Sequence, residues 1–221
     1  MRFDKARLSN GLRIHYAECG DVRGTPVVFV HGWPDSWFSF SRVLPLLPAT
    51  MRLVAFDQRG FGESDQPDSA YTIPGFAADL VAFLDALAID RAVLVGHSYG
   101  SFVARRAAIV APERVAALAL IGTGASTKIT GADDLRAALR TLPDPVPESF
   151  AREFQASTVH RPVPAEFFDR IIRESLKIPS RLWPLMIDCL LAYDDTHELD
   201  RIRAPTQLLW GDHDALFSRA Q

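Results

Sequence analysis

Four short segments, apolar almost throughout, constrain what this chain of 221 residues can fold into. They are Pro26–Val30, Arg52–Phe56, residues 92–95 and Val115–Ile121. Segments of this length without a polar face are typical of strands buried on both sides, as in a parallel sheet. Residues 76–87 and 102–110 carry apolar side chains at helical spacing between these segments. The alternation predicts an α/β fold, with a mostly parallel sheet and helices on both faces.

The N-terminal segment and the second half of the chain have different patterns. Residues 3–18 form two alternating runs around Asn10-Gly11, a strong hairpin signal. After Gly131 no glycine appears until Gly211, and prolines cluster between them. This composition favours short helices, with residues 167–178 and 185–193 as candidates.

A buried-strand pattern resumes at residues 206–210, after the proline-rich stretch. We therefore predict three parts for the chain. The first part of the core, with the N-terminal hairpin, covers residues 1–125, and a helical cap insert covers residues 126–203. The core resumes over residues 204–221.

The pentapeptide GHSYG at residues 96–100 ends one predicted strand and opens a predicted helix. In that context, G-x-S-x-G places its serine on a tight, strained turn with the hydroxyl above the sheet edge. The helix N-terminus adds N–H groups and a positive dipole end where an oxyanion would develop. Ser98 is therefore the candidate nucleophile. The alternative is a chance match in an ordinary strand–helix turn.

A second loop, HGWPD at residues 31–35, directly follows the first apolar segment. A loop at this place can bring the backbone N–H of Trp33 to a substrate oxyanion, with the N–H of Tyr99 as the other donor. We predict that these two groups form an oxyanion hole. The alternative is a simple turn that contains a structural histidine.

Four motifs occur in order along the chain: HGWP at residues 31–34, DQRGFGESD at 57–65, GHSYG at 96–100 and GDHD at 211–214. With them, the chain resembles the α/β-hydrolase superfamily, in its serine-nucleophile, cap-bearing branch. The resemblance implies the α/β-hydrolase fold and a loop-shaping role for the second motif, with Asp57 and Arg59 in internal pairs.

The HGWPD loop looks like the corresponding loop of epoxide hydrolases and haloalkane dehalogenases. Those relatives use a carboxylate nucleophile, whereas this chain has Ser98 at that place. A serine forms an acyl-enzyme from an ester-like carbonyl, and it is poorly suited to opening an epoxide or displacing a halide. The difference counts against both activities.

The resemblance also places a catalytic acid in the GDHD loop. Asp214 is the candidate and Asp212 its rival, with helix capping as the alternative role for Asp214. The order in this fold is serine, acid, histidine, and no histidine follows Asp214 in the sequence. We therefore expect the catalytic histidine, with the last strand and helix, beyond residue 221, and expect this chain alone to be inactive.

The six histidines in the sequence are expected to be structural or exposed rather than replacement bases. His97 should point away from Ser98, His213 shares a tight loop with the acid, and His31 lies at the predicted oxyanion turn. The remaining three are His15, His160 and His197.

Composition excludes several classes of protein. The formal net charge of −3 offers no basic surplus for nucleic acid or an anionic membrane. Cys19 and Cys189 are too few for a disulfide scaffold and lack metal-ligand spacing. No apolar run is long enough to span a bilayer, and the N-terminus lacks the pattern of a signal peptide. We expect a cytoplasmic protein that needs no metal or cofactor, and the oligomeric state is open.

The expected function is hydrolysis of carboxylic ester-like bonds in small hydrophobic substrates, through an acyl-serine intermediate. Carboxylesterase, lactonase, carbon–carbon bond hydrolase and perhydrolase activities all fit these motifs. The alternatives are a hydrolase-like receptor or regulator of small molecules, and an inactive truncated remnant. Apolar side chains of the loop after residue 30 and of the insert are candidates for lining the substrate pocket: Trp33, Trp37, Phe38, Trp183, Leu185, Met186 and Leu190.

Overall fold

A seven-stranded sheet forms the centre of the computed structural model, which describes residues 1–217. The strands in chain order are β1 (Arg2–Arg7), β2 (Arg13–Gly20), β3 (Pro26–Val30), β4 (Arg52–Phe56), β5 (Ala92–His97), β6 (Val115–Ile121) and β7 (Thr206–Leu209). All four apolar segments are therefore strands, and the hairpin prediction around Asn10-Gly11 is confirmed. Residues 218–221, the end of the predicted resumed core, lie outside the described residues.

The spatial order of the strands is β1-β2-β4-β3-β5-β6-β7. β1 and β2 pair antiparallel, and so do β2 and β4. The other four pairings are parallel. The carboxyl ends of β3, β5, β6 and β7 consequently lie at one edge of the sheet, which is where α/β proteins commonly place their ligands.

Six α-helices accompany the sheet in the described part of the chain. They are α1 (Ile73–Ala86), α2 (Tyr99–Val110), α3 (Ala132–Arg140), α4 (Glu148–Ser157), α5 (Ala165–Ser175) and α6 (Leu182–Leu191). The four predicted helices correspond to α1, α2, α5 and α6 with shifted ends. Helices α3 and α4 were not predicted individually, although each lies in the segment expected to contain short helices.

Two apolar clusters lie on opposite faces of the sheet, because alternate residues of a strand point to opposite sides. Val28 and Val30 of β3 belong to the larger cluster, which includes buried residues of α1 and α2. Val27 and Phe29 belong to the smaller cluster. Since both faces of β3 are covered, its wholly apolar sequence is explained.

Strand β7 differs from its prediction as a buried strand. All four of its residues are exposed, and Leu208 retains 67% of its accessible surface. β7 pairs with β6 on one side only and is the edge strand of the described sheet. Within residues 1–217, nothing covers the apolar side chains of β7.

Helices α3 to α6 lie between β6 and β7 in the chain, and the two ends of their segment are bonded to each other and to α2. Thr127 Oγ1 donates a hydrogen bond to the carbonyl oxygen of Tyr193, 2.8 Å away. Arg105 of α2 forms a buried ion pair with Asp195. The division of the chain at residues 126 and 203 stays a prediction.

Candidate active site

Ser98 lies on the turn between β5 and α2, with φ 49° and ψ −121°. A positive φ is unfavourable for a residue with a side chain, and such strain persists only where the surroundings impose it. The Ser98 N–H donates to the carbonyl oxygen of Ile121 at 2.8 Å, and the Ser98 carbonyl accepts from the Ser101 N–H at 2.8 Å. These bonds hold the turn against β6 and the first turn of α2.

The two glycines of the turn allow a close approach of strand and helix. A Cβ atom at Gly96 would lie 2.6 Å from the Gly100 carbonyl oxygen and 2.6 Å from the Ser101 Cα. A Cβ atom at Gly100 would clash with the carbonyl oxygens of Val30 and His31. The spacing of the motif therefore reflects contacts with two neighbouring segments of backbone.

The loop after β3 packs against Ser98, as a Cβ atom at Gly32 would lie 3.2 Å from the Ser98 Cβ. Trp33 follows in this loop, and Tyr99 is the first residue of α2. Among the described residues, neither backbone N–H donates to another protein group. Two such N–H groups beside a hydroxyl, one of them at a helix N-terminus, can stabilise an oxyanion.

The HGWPD loop is held by a buried histidine. His31 is fully buried, its Nδ1 lies 2.7 Å from the Gly32 carbonyl oxygen, and its Nε2 accepts from the Gln58 N–H at 3.1 Å. In this arrangement the imidazole is neutral with its proton on Nδ1. Burial lowers the pKa of His31 below its ordinary value. His31 therefore supports the loop rather than the chemistry.

The DQRGFGESD loop forms the internal pairs expected of it. Asp57 accepts hydrogen bonds from the Trp37 N–H at 2.8 Å and the Glu63 N–H at 3.0 Å, and it pairs with His15 Nδ1 at 2.8 Å. Arg59 forms a buried ion pair with Asp79. Asp57 and Arg59 thus fix the loop through other partners rather than through each other.

Asp214 lies across the sheet edge from Ser98 and lines the same cavity. Its Oδ1 accepts from the backbone N–H groups of Leu216 and Phe217, each at 2.9 Å. Its Oδ2 lies 3.7 Å from the position that a Cβ atom would take at Gly122, at the end of β6. One oxygen thus holds the turn, and the other lies near Gly122, which also lines the cavity. The side chain of the rival Asp212 is 89% exposed.

Three histidines line this cavity: His97, His160 and His213. His97 was expected to point away from Ser98, and its Nδ1 lies 3.0 Å from the Cβ position of Gly32. His160 and His213 stack with ring centroids 3.7 Å apart. Within residues 1–217, none of the three rings forms a hydrogen bond with Ser98 or Asp214.

Two cavities meet at Ser98. The larger has a volume of about 570 Å³ and includes Asp214 and the three histidines. The smaller has a volume of about 30 Å³ and is mainly apolar. Trp33 lines both, and its buried indole N–H has no hydrogen-bond partner in the described part of the chain.

The structure places the predicted pocket residues in different surroundings. Trp33 lines both cavities and Leu190 lines the smaller one. Five others lie outside both cavities: Trp37, Phe38, Trp183, Leu185 and Met186. Their positions follow from the tertiary packing.

Trp37 belongs to the cluster on the far face of the sheet. The Phe38 ring stacks on Phe167, with centroids 5.4 Å apart. Trp183 and Met186 are fully buried in the larger cluster, and Leu185 is 41% exposed. The smaller cavity is also lined by Ile129, Leu135 and Ile187. They were not predicted, since periodicity does not show which apolar residues of an insert face a serine.

Neither a metal cluster nor a membrane span is found in the described residues. No group of three or more histidine, cysteine, aspartate or glutamate side chains there has an arrangement that could hold a metal ion. Of the helices described, none combines the length and apolar character that crossing a bilayer requires.

Comparisons with known proteins agree with this fold. The profile of a family described as having the alpha/beta hydrolase fold matches residues 25–221. A non-heme chloroperoxidase from Streptomyces lividans is 32% identical, over 93% of this chain and 80% of that protein. An esterase structure from Rhodococcus sp. has a TM-score of 0.84 and 27% identity, and the alignment covers 98% of this chain and 82% of the other.

Other relatives match a shorter stretch. The bifunctional epoxide hydrolase 2 of Sus scrofa is 38% identical over 116 residues, which are 51% of this chain. The match spans only 20% of that enzyme's length. The likeness therefore concerns a part of that protein.

Proposed function

The chain belongs to the α/β-hydrolase family, and from that premise we propose that the protein is a serine hydrolase of carboxylic esters. Its substrates in this proposal are small, hydrophobic molecules, and the reaction passes through an acyl-serine. The observation that carries the proposal is Ser98, held at φ 49° between β5 and α2 and lining one cavity with Asp214. A cap role for α3 to α6 and a cytoplasmic location belong to the same proposal.

The reaction follows from these groups. The Ser98 hydroxyl oxygen attacks the ester carbonyl carbon while its proton passes to a histidine base that Asp214 orients. The N–H groups of Trp33 and Tyr99 stabilise the oxyanion that forms. The intermediate then expels the alcohol, which takes the proton from the histidine. Water repeats the sequence at the acyl-serine, releases the acid and restores Ser98.

The identity of the nucleophile favours esters over epoxides. Several relatives are named epoxide hydrolases. The epoxide hydrolases that this chain resembles open the epoxide ring with a carboxylate at the place of Ser98. A hydroxyl nucleophile suits attack on a carbonyl carbon, where the two backbone N–H groups can stabilise the resulting charge.

Covalent labelling tests the nucleophile. An alkyl fluorophosphonate should phosphonylate Ser98, with release of fluoride, and peptide mass spectrometry should locate the adduct. Ser98→Ala should abolish labelling and reduce turnover of p-nitrophenyl acetate by roughly 10⁴–10⁶-fold. Absence of an adduct, or an adduct at another residue, would overturn the proposal.

Two aspartates in one loop provide a matched comparison for the acid. Asp214→Asn should lower kcat by about 10⁴-fold, the scale expected when a triad carboxylate is neutralised. The asparagine can still accept from the Leu216 and Phe217 N–H groups, so the turn should remain folded. Asp212→Asn should change kcat less than about threefold, because this side chain is exposed. Equal losses in the two variants would contradict the assignment.

A further inference from the structure

We propose that the smaller cavity is an acyl site that limits the acid part of the substrate to two or three carbons. The alcohol part occupies the larger cavity. This inference rests on the proposed ester hydrolysis at Ser98. It therefore deepens that function by naming the substrate class, esters of short-chain acids with larger alcohols.

The smaller cavity is a defined apolar recess. Ile129 and Leu135 line it from the loop before α3 and from α3, and Ile187 and Leu190 line it from α6. Trp33 lines both the recess and the larger cavity. No charged side chain lines this recess, and an apolar wall favours a hydrocarbon chain over a polar or ionised group.

Ser98 stands at the junction of the two cavities. Trp33 and Phe154 also line both. The larger cavity carries polar and charged groups that the recess lacks, including His160, Arg161 and Asp214. A substrate bound across Ser98 must therefore place one part in a small apolar space and the other in a large, more polar one.

The path of the proton decides which cavity holds the alcohol part of the ester and which holds the acyl part. The departing alcohol oxygen takes its proton from the base that Asp214 orients, so the alcohol must leave on the side of Asp214. Asp214 lines the larger cavity and not the recess. The acyl chain, on the other side of the carbonyl carbon, then points into the recess.

The volume of the recess sets the chain length. The recess has a volume of about 30 Å³, close to the ~30 Å³ that one water molecule occupies in the liquid. One or two carbon atoms beyond the carbonyl fill this space, as in acetyl and propionyl groups. A hexanoyl or benzoyl group exceeds it. Lactones are also disfavoured, because their ring ties the acyl chain to the leaving oxygen and prevents the two from occupying opposite cavities.

A series of esters that differ in acyl-chain length tests the proposal. The p-nitrophenyl esters of acetate, propionate, butyrate and hexanoate share one leaving group and differ only in the acyl chain. We expect kcat/KM to fall at least tenfold from propionate to hexanoate. In a tight pocket, one extra methylene on the substrate lowers kcat/KM by ~10-fold or more. A flat series, or a preference for hexanoate, would overturn the acyl-site assignment.

Enlarging the recess should shift this preference. Leu135→Ala should raise kcat/KM for the hexanoate ester, relative to kcat/KM for the acetate ester, at least fivefold. Ile187→Val, which removes a single methylene and leaves the core nearly intact, should shift it in the same direction. Leu185→Ala, in the same helix as Ile187 but outside both cavities, should leave the ratio unchanged. An equal shift in the Leu185 variant would contradict the assignment.

The acyl-site assignment and the hydrolase function can fail separately. If fluorophosphonate labels Ser98 but the chain-length series is flat, the acyl site is wrong and the hydrolase function stands. If Ser98 takes no label and no ester is hydrolysed, the hydrolase function fails, and the acyl site fails with it.

Discussion

At the scale of single residues, Ser98 combines the candidate reactive hydroxyl with the backbone strain of the site. A non-glycine residue at a positive φ costs about 1–3 kcal/mol, which the surrounding structure must offset. The bonds to Ile121 and Ser101 and the close packing at Gly96 and Gly100 hold it there. Stability and activity should therefore conflict at this position.

We predict that Ser98→Gly is more stable than Ser98→Ala by about 1 kcal/mol. Glycine relieves ~1–3 kcal/mol of strain but loses roughly 0.5–1 kcal/mol through the entropy of the unfolded chain. Both variants lack the hydroxyl, so only the backbone effect separates them. Urea unfolding measures the difference. An alanine variant at least as stable as the glycine variant would show that the turn is not strained.

His31 gives the fold a dependence on pH. Burial lowers the pKa of its imidazole, against the partly offsetting attraction of Asp57. The unfolded chain therefore takes up the proton at a higher pH than the folded chain. The stability due to neutral His31 is complete above its ordinary pKa of 6.5 and is lost as the pH falls towards the lower, folded-state pKa.

We predict that the free energy of unfolding falls between about pH 7.5 and about pH 5.5, with a His31 contribution of up to ~1.4 kcal/mol per pH unit. His31→Asn should reduce this slope. His197→Asn, at a histidine whose side chain is 74% exposed, should leave it unchanged. Urea titrations at the two pH values measure both slopes. Identical slopes in the wild type and the His31 variant would refute this explanation.

At the scale of elements, a buried ion pair joins α2 to the segment that returns from the helical insert. Arg105 Nε donates to Asp195 Oδ2 at 3.0 Å, and the guanidinium also donates to the Gly124 carbonyl oxygen at 2.9 Å. The Tyr193 hydroxyl donates to Asp195 at 2.9 Å, and burial raises the pKa of this tyrosine. The network thus connects both ends of the insert to the helix that follows Ser98.

We predict that Asp195→Asn lowers the free energy of unfolding by about 3 kcal/mol, because removing one partner leaves a buried charge unpaired. Asp188→Asn is the matched control. Asp188 pairs with Arg136 at the surface, where both side chains are about one-third exposed, and its loss should cost less than ~1 kcal/mol. Chemical denaturation compares the two variants. Equal losses of unfolding free energy would contradict a stabilising role for the buried Arg105–Asp195 pair.

At the scale of the whole molecule, the edge of the described sheet is apolar and open. Leu208, Leu209 and Trp210 are exposed by 67%, 41% and 38%. An exposed apolar edge strand presents unpaired N–H and C=O groups to other chains and is a hazard for aggregation.

We predict concentration-dependent self-association of the chain of 221 residues. Leu208→Lys should reduce it, because a charge on the edge opposes pairing with another strand. Leu46→Lys places the same charge at an isolated leucine that is 82% exposed, and it should have little effect. Size-exclusion chromatography with light scattering measures the association. A chain that stays monomeric at high concentration would disprove the prediction.

Local sequence patterns were sufficient to predict most of the sheet and the place of Ser98, the proposed nucleophile, between a strand and a helix. β3 and β6 could be predicted because a strand buried on both faces is apolar throughout. Ser98 could be placed between β5 and α2 because only glycine fits at Gly96 and Gly100. These features depend on residues close in the chain, and a sequence displays such relations directly.

The tertiary structure alone decided which distant residues meet. It brings His160 of the insert against His213, turns Trp37 to the far face of the sheet, and leaves Leu208 exposed at an edge. It also forms the recess at Ser98 from residues such as Ile129 and Leu190. Hydrophobic burial is non-directional, so an apolar residue indicates that it will be covered but not by which neighbour. The packing of the insert on the sheet determines that neighbour.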